Sequence, residues 1–279
     1  MPGFRGLNGL RPHPDWLVPQ WPAPPQVRAL CTTRAGGVSR PPFDSLNLGR
    51  PSGDDAGAVD VNRRRLADAI GYPPVFMSQV HGVACAVLPQ AQDAPGDTPI
   101  EADACVTGAP GVVCTVRVAD CLPVLLCDEA GRVVAAAHAG WRGLAAGVLE
   151  RSVEAFTAQL AHGAGSCSAG GVARRTLAWL GPCIGPRAFE VGPEVRDAFM
   201  AADAQAAQHF APGVGGKWLA DLAALARMRL QDMGITQIHG NDSTPAWCTV
   251  GNPSLFFSHR RDSVALGGSG RMAACIWID

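Results

Sequence analysis

Apolar and polar positions change period several times along this chain, and each change marks an element. VRALCTT, residues 27–33, is a short apolar run that breaks at a Gly-Gly turn, which predicts a strand leading into an irregular loop. In DAGAVDVNRRRLADAI, 55–70, Val59, Leu66 and Ile70 share one face and Gly71 fits the stop position, so a helix is predicted. Apolar runs bounded by turn residues follow at 75–82, 83–88, 102–108, 112–120, 122–128 and 132–140, and each reads as a strand. A Pro/Gly/Asp loop at 89–100 interrupts them. Leu144, Val148, Leu149, Val153, Phe156 and Leu160 then repeat at helical spacing and predict one long helix over 143–162. A small-residue loop at 163–175 leads to a strand at 176–182 and to helices at 193–203 and 218–234. Strands at 235–240, 254–259 and 271–278 complete the pattern.

Strands cluster instead of alternating strictly with helices. That favours an α+β fold, a single domain with mixed β-sheets flanked by helices, over a doubly wound sheet. Residues 1–27, rich in Pro and carrying Trp16 and Trp21, read as an extended N-terminal arm, and 28–279 as the domain. With 33 Gly and 23 Pro in 279 residues, the chain has too many turns for a helical bundle.

Charge and cysteine content narrow the function classes. The net charge of −1 supplies no basic field, so nucleic acid is not an expected partner. No apolar run approaches the roughly 20 residues of a membrane span, and no charged-then-apolar leader opens the chain. Membrane partners and export are therefore not expected. Ten cysteines without a CxxC pair then read as reduced thiols in the cytoplasm, most of them small hydrophobes in apolar stretches.

The histidines divide by context. His239 and His259 close apolar stretches and read as core or rim residues. His81 in QVHG and His138 in AAHAG each end a predicted strand before a small-residue turn, and Cys121 in VADCLPV lies between two apolar strands. Two His and one Cys can hold a catalytic zinc with a fourth position open, although their spacing matches no zinc finger. These residues alone leave both a metal site and purely structural roles open. Arg142 in HAGWRG sets a guanidinium in a glycine-rich turn at a helix start, which suits an oxyanion or phosphate. The same glycines also suit a plain sharp turn. Asp103 and Asp120 stand at strand ends, where either can orient an imidazole, carry a proton or cap a turn.

Several segments carry a resemblance. CTTRAGGVSRPPFDSLNLG (31–49), SQVHG (78–82), ADACVT (102–107), VADCLPVLL (118–126), AAHAGWRGLAAG (136–147), GPCIGPRAFEVG (181–192) and FFSHRRDSVALGGSGRMA (256–273) resemble the laccase-domain family, also called multicopper polyphenol oxidases. Bacterial members look like purine nucleoside phosphorylases that also deaminate adenosine, and one relative is described as a peptidoglycan editing factor. The resemblance implies a layered αββα-type sandwich similar to the cytotoxic necrotizing factor-like cysteine hydrolases. It implies zinc held by His81, Cys121 and His138, with copper as a possible substitute. The expected reaction is phosphorolysis of adenosine, inosine and methylthioadenosine, with adenosine deamination beside it. Small-molecule nucleoside and phosphate are then the partners, and the oligomeric state is left open.

Arg142, Arg34 and Asn47 become candidates for phosphate or ribose contacts. Gln79 and Asp103 become candidates for base contacts or proton transfer, with Cys121 and His138 at the centre. An alternative is a hydrolase in which Cys121 attacks and His138 serves as its base, removing a wrong L-Ser from a UDP-MurNAc precursor. Polyphenol oxidation is the weaker alternative, because seven histidines without a His-x-His pair do not suit four coppers. The chain departs from the family pattern in HRRDSVALGGSGR, where the segment between RRD and GR is long, and from the editing-factor relative, which has a tyrosine where this chain has His259.

Overall fold

A computed structural model describes residues 12–89, 100–163 and 169–279. The predicted loop 89–100 falls almost wholly outside the described residues, as do residues 1–11 of the predicted arm. The first half of the chain holds β1 (Val27–Cys31), α1 (Ala56–Ile70), β2 (Pro74–Phe76), β3 (Cys85–Val87), β4 (Ala104–Thr107) and β5 (Val113–Val118). Next come β6 (Leu122–Asp128), β7 (Val134–Ala139), α2 (Trp141–Ala146), α3 (Val148–Gly163), α4 (Ala169–Ala173) and β8 (Thr176–Leu180). The last third holds β9 (Glu190–Val191), α5 (Pro193–Ala202), β10 (Phe210–Pro212), β11 (Trp218–Ala220), α6 (Leu222–Asp232), β12 (Gln237–Gly240), α7 (His259–Leu266) and β13 (Met272–Ile278).

Two mixed sheets stack face to face. One has the order β12-β8-β6-β7-β4-β3 and the other β1-β13-β5-β2. Period-two alternation sends the two sides of each central strand into different layers. On β6, Leu125 and Cys127 face β5 and β13 between the sheets, while Val124 and Leu126 face the cluster that contains α3 and α6. On β13, Ala274 and Ile276 enter the inter-sheet layer, while Cys275 and Trp277 pack with Leu66 and Ile70 of α1. Helices therefore cover both outer faces, giving the expected α+β sandwich of layers αββα. Burial on both faces explains why β6 reads as an unbroken apolar run. Ahead of β1, Trp16 is buried and donates its indole N–H to Ala35 O at 3.0 Å, and Leu17 bridges Cys31 at the sheet edge.

Four expectations are corrected. The predicted helix over 143–162 is two helices, because Gly147 takes φ +102° and ends α2 before α3 begins. Apolar spacing cannot reveal that break, since Leu144 and Val148 are buried on either side of it. Residues 218–220 form the middle strand of a small three-stranded sheet, paired with β9 and β10, and α6 starts only after Asp221, whose carboxylate caps Ala224 N. Residues 254–259 are not a strand: Ser258 accepts from Arg261 N and starts α7. Finally, part of the predicted loop 163–175 is helical at Ala169–Ala173.

Candidate active site

Strand register gathers the candidate residues at one end of the sandwich. In the β6–β7 hairpin Leu122 pairs with Ala139 and Pro123 with His138, which sets Cys121 beside Gly140. On the other side of β7, Ala104 pairs with Ala137, and His138 N donates to Asp103 O at 2.7 Å. Antiparallel pairing thus closes the long sequence gaps among Asp103, Cys121 and His138. His81 is not at a strand end, because β2 stops at Phe76. It sits in a bend with φ +61°, a conformation uncommon outside glycine.

Asp103 is the reason for that bend. Its carboxylate is fully buried and accepts four hydrogen bonds. Oδ2 takes Val80 N at 3.1 Å and Gly82 N at 2.7 Å, and Oδ1 takes His81 N at 3.0 Å and His138 Nδ1 at 2.8 Å. Three successive amides wrapped around one anion form a nest. It fixes the His81 backbone, and the fourth bond leaves His138 Nε2 for a ligand.

The donor atoms of His81, Cys121 and His138 all lie within 4.8 Å of one another. Cys121 Sγ is 3.8 Å from His81 Nε2, and the two imidazoles meet edge-on at 4.9 Å between centroids. Metal bonds of roughly 2.0–2.3 Å in a tetrahedron put donors roughly 3.5 Å apart, so a small adjustment closes the set on one ion. A Cβ on Gly140 would stand 2.9 Å from His81 Cδ2 and 3.0 Å from Cys121 Sγ. The pocket between the donors is therefore kept clear by a missing side chain. We expect Gly140→Ala to lower metal affinity by about tenfold or more, the loss typical of disturbing a ligand's surroundings, measured by competition with a chelator of known affinity.

Electrostatics prepare the same ligands. Burial alone raises a thiol, but the His138 imidazole, helped by His81, outweighs it and lowers Cys121 to about 6. Burial alone lowers an imidazole, but the Cys121 and Asp103 charges raise His138 to about 9. The pair is a thiolate beside an imidazolium, and a metal ion would replace the imidazolium proton.

Asp120 locks the neighbouring turn. It has φ +86°, its Oδ1 accepts from Thr249 Oγ1 at 2.5 Å, and its Oδ2 accepts from Arg260 N at 2.6 Å. The Cys121 loop is thereby tied to the start of α7. A cleft of about 440 Å³ opens over the donors, lined by Arg117, Arg142, Arg271 and His259, with no carboxylate among its described lining residues. Burial lowers the pKa of Arg117, and so does the nearby Arg271. Arg117 Nε is buried with no hydrogen-bond partner. Two neighbouring guanidiniums, one of them with an N–H that no protein group satisfies, suit an anion.

A family model described as "Multi-copper polyphenol oxidoreductase laccase" matches residues 28–279. The chain belongs to this laccase family. Among curated relatives of this family member, Purine nucleoside phosphorylase YfiH of Escherichia coli is 49% identical over 267 residues, covering 94% of this chain and 98% of that one. A purine nucleoside phosphorylase of Pseudomonas aeruginosa is 48% identical, with 94% and 98% covered. A solved Neisseria meningitidis structure, NMB0706, aligns with TM-score 0.82 at 44% identity, covering 95% of this chain and 99% of that one. Among the described residues of this laccase-family chain, His81, Cys121 and His138 are the one group of His, Cys, Asp and Glu arranged to hold a metal ion. The several copper centres in the family's name thus have no second set of ligands there.

Other expected contacts fall differently. Gln79 lines the cleft, but its amide is occupied by the Arg117 backbone, donating to O at 2.9 Å and accepting from N at 2.8 Å. Arg34 binds Asp44 and Pro253 O and stacks on Phe257, away from the cleft lining. Asn47 is fully buried, and its Oδ1 accepts from Gly49 N and Arg271 N. It reaches the site by placing Arg271. Arg117, Arg271 and His259 are the charged or titratable lining residues that sequence reasoning did not select. His259 is exposed at the cleft and so is not a core residue, and His239 is half-buried on β12 with Nε2 unpartnered.

Proposed function

We propose that this chain is a zinc-dependent purine nucleoside phosphorylase acting on adenosine, inosine and methylthioadenosine, with adenosine deaminase activity in the same cleft. The observation that carries it is the meeting of a three-donor metal site with a carboxylate-free lining of three guanidiniums. High-coverage relatives named as purine nucleoside phosphorylases support the reading. His81, Cys121 and His138 hold the metal, and Asp103 positions His81 and His138. Zinc, when bound, supplies a Lewis acid; copper in its place accounts for any weak phenol oxidation.

Arg117, Arg142 and Arg271 hold phosphate. One phosphate oxygen bonds to C1′ of the ribose, the C1′–N9 bond breaks, and its electron pair leaves with the purine. Held cations keep the nucleophile in line and neutralise charge as it redistributes. The setting we propose is the cytoplasm. Nine described cysteines are unbridged, and no helix among the described residues is long and apolar enough to cross a membrane.

The arginines give a separable prediction. Arg271→Ala is expected to raise KM for phosphate roughly 10–100-fold, the loss of one to two charge-assisted bonds, with little change in KM for inosine. Steady-state kinetics with each substrate varied in turn measures the difference.

A second reading has its own observation. Asp103, His138 and Cys121 also line up as orienter, base and thiolate nucleophile. That arrangement suits removal of L-Ser from UDP-MurNAc-L-Ser. The deciding experiment incubates the purified protein with adenosine, inosine, methylthioadenosine and UDP-MurNAc-L-Ser, with and without phosphate, alongside elemental analysis. We expect about one zinc per chain and phosphate-dependent release of free base. Metal-free protein that acts on the UDP-MurNAc compound and is inactivated by alkylation at Cys121 would overturn the phosphorylase reading.

A further inference from the structure

The run Ser258–Asp262 at the start of α7 separates by use. Ser258 caps the helix through Arg261 N, and its own N–H donates to Asp262 Oδ2 at 3.0 Å. Arg260 donates its backbone N–H to Asp120 and its guanidinium to Glu190 O at 3.0 Å. Arg261 binds Thr249 O, Phe256 O and the Asp262 carboxylate. Four of the five residues therefore anchor the turn to its surroundings. His259 is the one whose side chain is exposed and lines the cleft.

Its surroundings hold it in a definite pose. Nδ1 meets Ser263 Oγ at 2.7 Å, one helical turn on. Nε2 is then the ring nitrogen left to meet a ligand. The backbone below is tied through Arg260 N and Asp120 to the loop that carries Cys121. An imidazole on so fixed a support keeps its distance from the metal donors without being one of them.

We propose that His259 is a catalytic residue, the proton donor to the departing purine. The proposal rests on the phosphorylase reading and names a group for its leaving step. As the phosphate oxygen bonds to C1′ and the C1′–N9 bond breaks, the electron pair moves into the purine ring. The imidazolium of His259 keeps Nδ1–H on Ser263 Oγ and passes its Nε2 proton to purine N7. Neutral imidazole remains and regains a proton from solvent. A purine that leaves protonated avoids the high-energy anion.

The test compares inosine with 7-methylinosine, both with inorganic phosphate, on the metal-loaded protein. 7-Methylinosine already carries positive charge in its imidazole ring and needs no proton to leave. His259→Gln is expected to lower kcat on inosine by about 100-fold or more while changing kcat on 7-methylinosine by less than about threefold, the mark of a missing general acid. Ser263→Ala is expected to show the same split with a smaller loss. Metal per chain is expected to be unchanged in both variants. Equal losses on the two nucleosides, full activity of His259→Gln on inosine, or loss of metal from it would each overturn the proposal while leaving the phosphorylase reading standing. Wild-type protein that leaves inosine intact in phosphate would overturn both.

Discussion

Cys121→Ser is expected to empty the metal centre and stop turnover together. The native side chain is a thiolate near neutrality because His138 and His81 lower it to about 6 despite its burial. A serine hydroxyl stays protonated there and offers neither negative charge nor a soft donor. Metal should fall from about one ion per chain to less than about 0.1, and kcat/KM on inosine should drop by roughly 1000-fold or more, about 4 kcal/mol of transition-state stabilisation. The fold should survive. The sandwich core lies in layers that do not include Cys121, so metal-free wild type and variant should melt within a few degrees of each other. Elemental analysis, kinetics and calorimetry on the same preparations check all three. A variant that keeps its metal but loses all activity would instead favour Cys121 as a nucleophile, and one that keeps both would end the metal reading.

Asp103→Asn is expected to damage stability and metal binding at once. Each carboxylate oxygen accepts two N–H groups, so all four partners are donors. An asparagine puts an NH₂ against two of them in either orientation, and the site is fully buried. Unfolding free energy should fall by about 3–5 kcal/mol, the cost of leaving buried donors unpaired around a lost charge. Metal affinity should fall about 10–100-fold, because His138 loses the partner that orients it.

The pH dependence has a definite sign. Burial raises the Asp103 carboxyl, but the bonds from His138 and the 80–82 amides outweigh it and lower its pKa below the ordinary value. Its stabilising effect is therefore fully present above the unfolded carboxylate pKa of about 3.9 and fades as pH falls through the lower folded value. The gap between wild type and Asp103→Asn in metal-free urea melts should narrow below about pH 4, and also as pH rises from the ordinary imidazole range through about 9, where His138 gives up the proton that Asp103 helps it hold. A gap that is absent at pH 7 would show that the nest does not hold the 80–82 bend.

The legible parts of the site were those with a local signature. His81 and His138 stood out because each precedes a small-residue turn, and Cys121 because it interrupts two apolar runs. Arg117 carried no such mark. Inside VVCTVRVAD it looks like one polar position on a strand, and only the pairing of Ala273 with Arg117 brings it to the end of β13 where Arg271 stands. Asn47 and Arg34 show the reverse: polar residues in a glycine-rich loop read as ligand contacts, yet both are occupied by the loop's own backbone and by Asp44. His259 was hidden by the apolar residues before it, because Phe256 and Phe257 are buried without forming a strand.

The chain by itself therefore determined the elements with a clean period: α1, β6, β7, the paired helical faces on either side of Gly147, and the α+β class they add up to. Period is a property of neighbouring residues, so it survives in one dimension. The three donors could be named from the same local evidence together with a family likeness. Their convergence, the nest around Asp103 and the cluster of guanidiniums were decided only by tertiary structure. Those features depend on which strand pairs with which, and in what register, and pairing energy between segments far apart leaves no periodic trace in either segment alone.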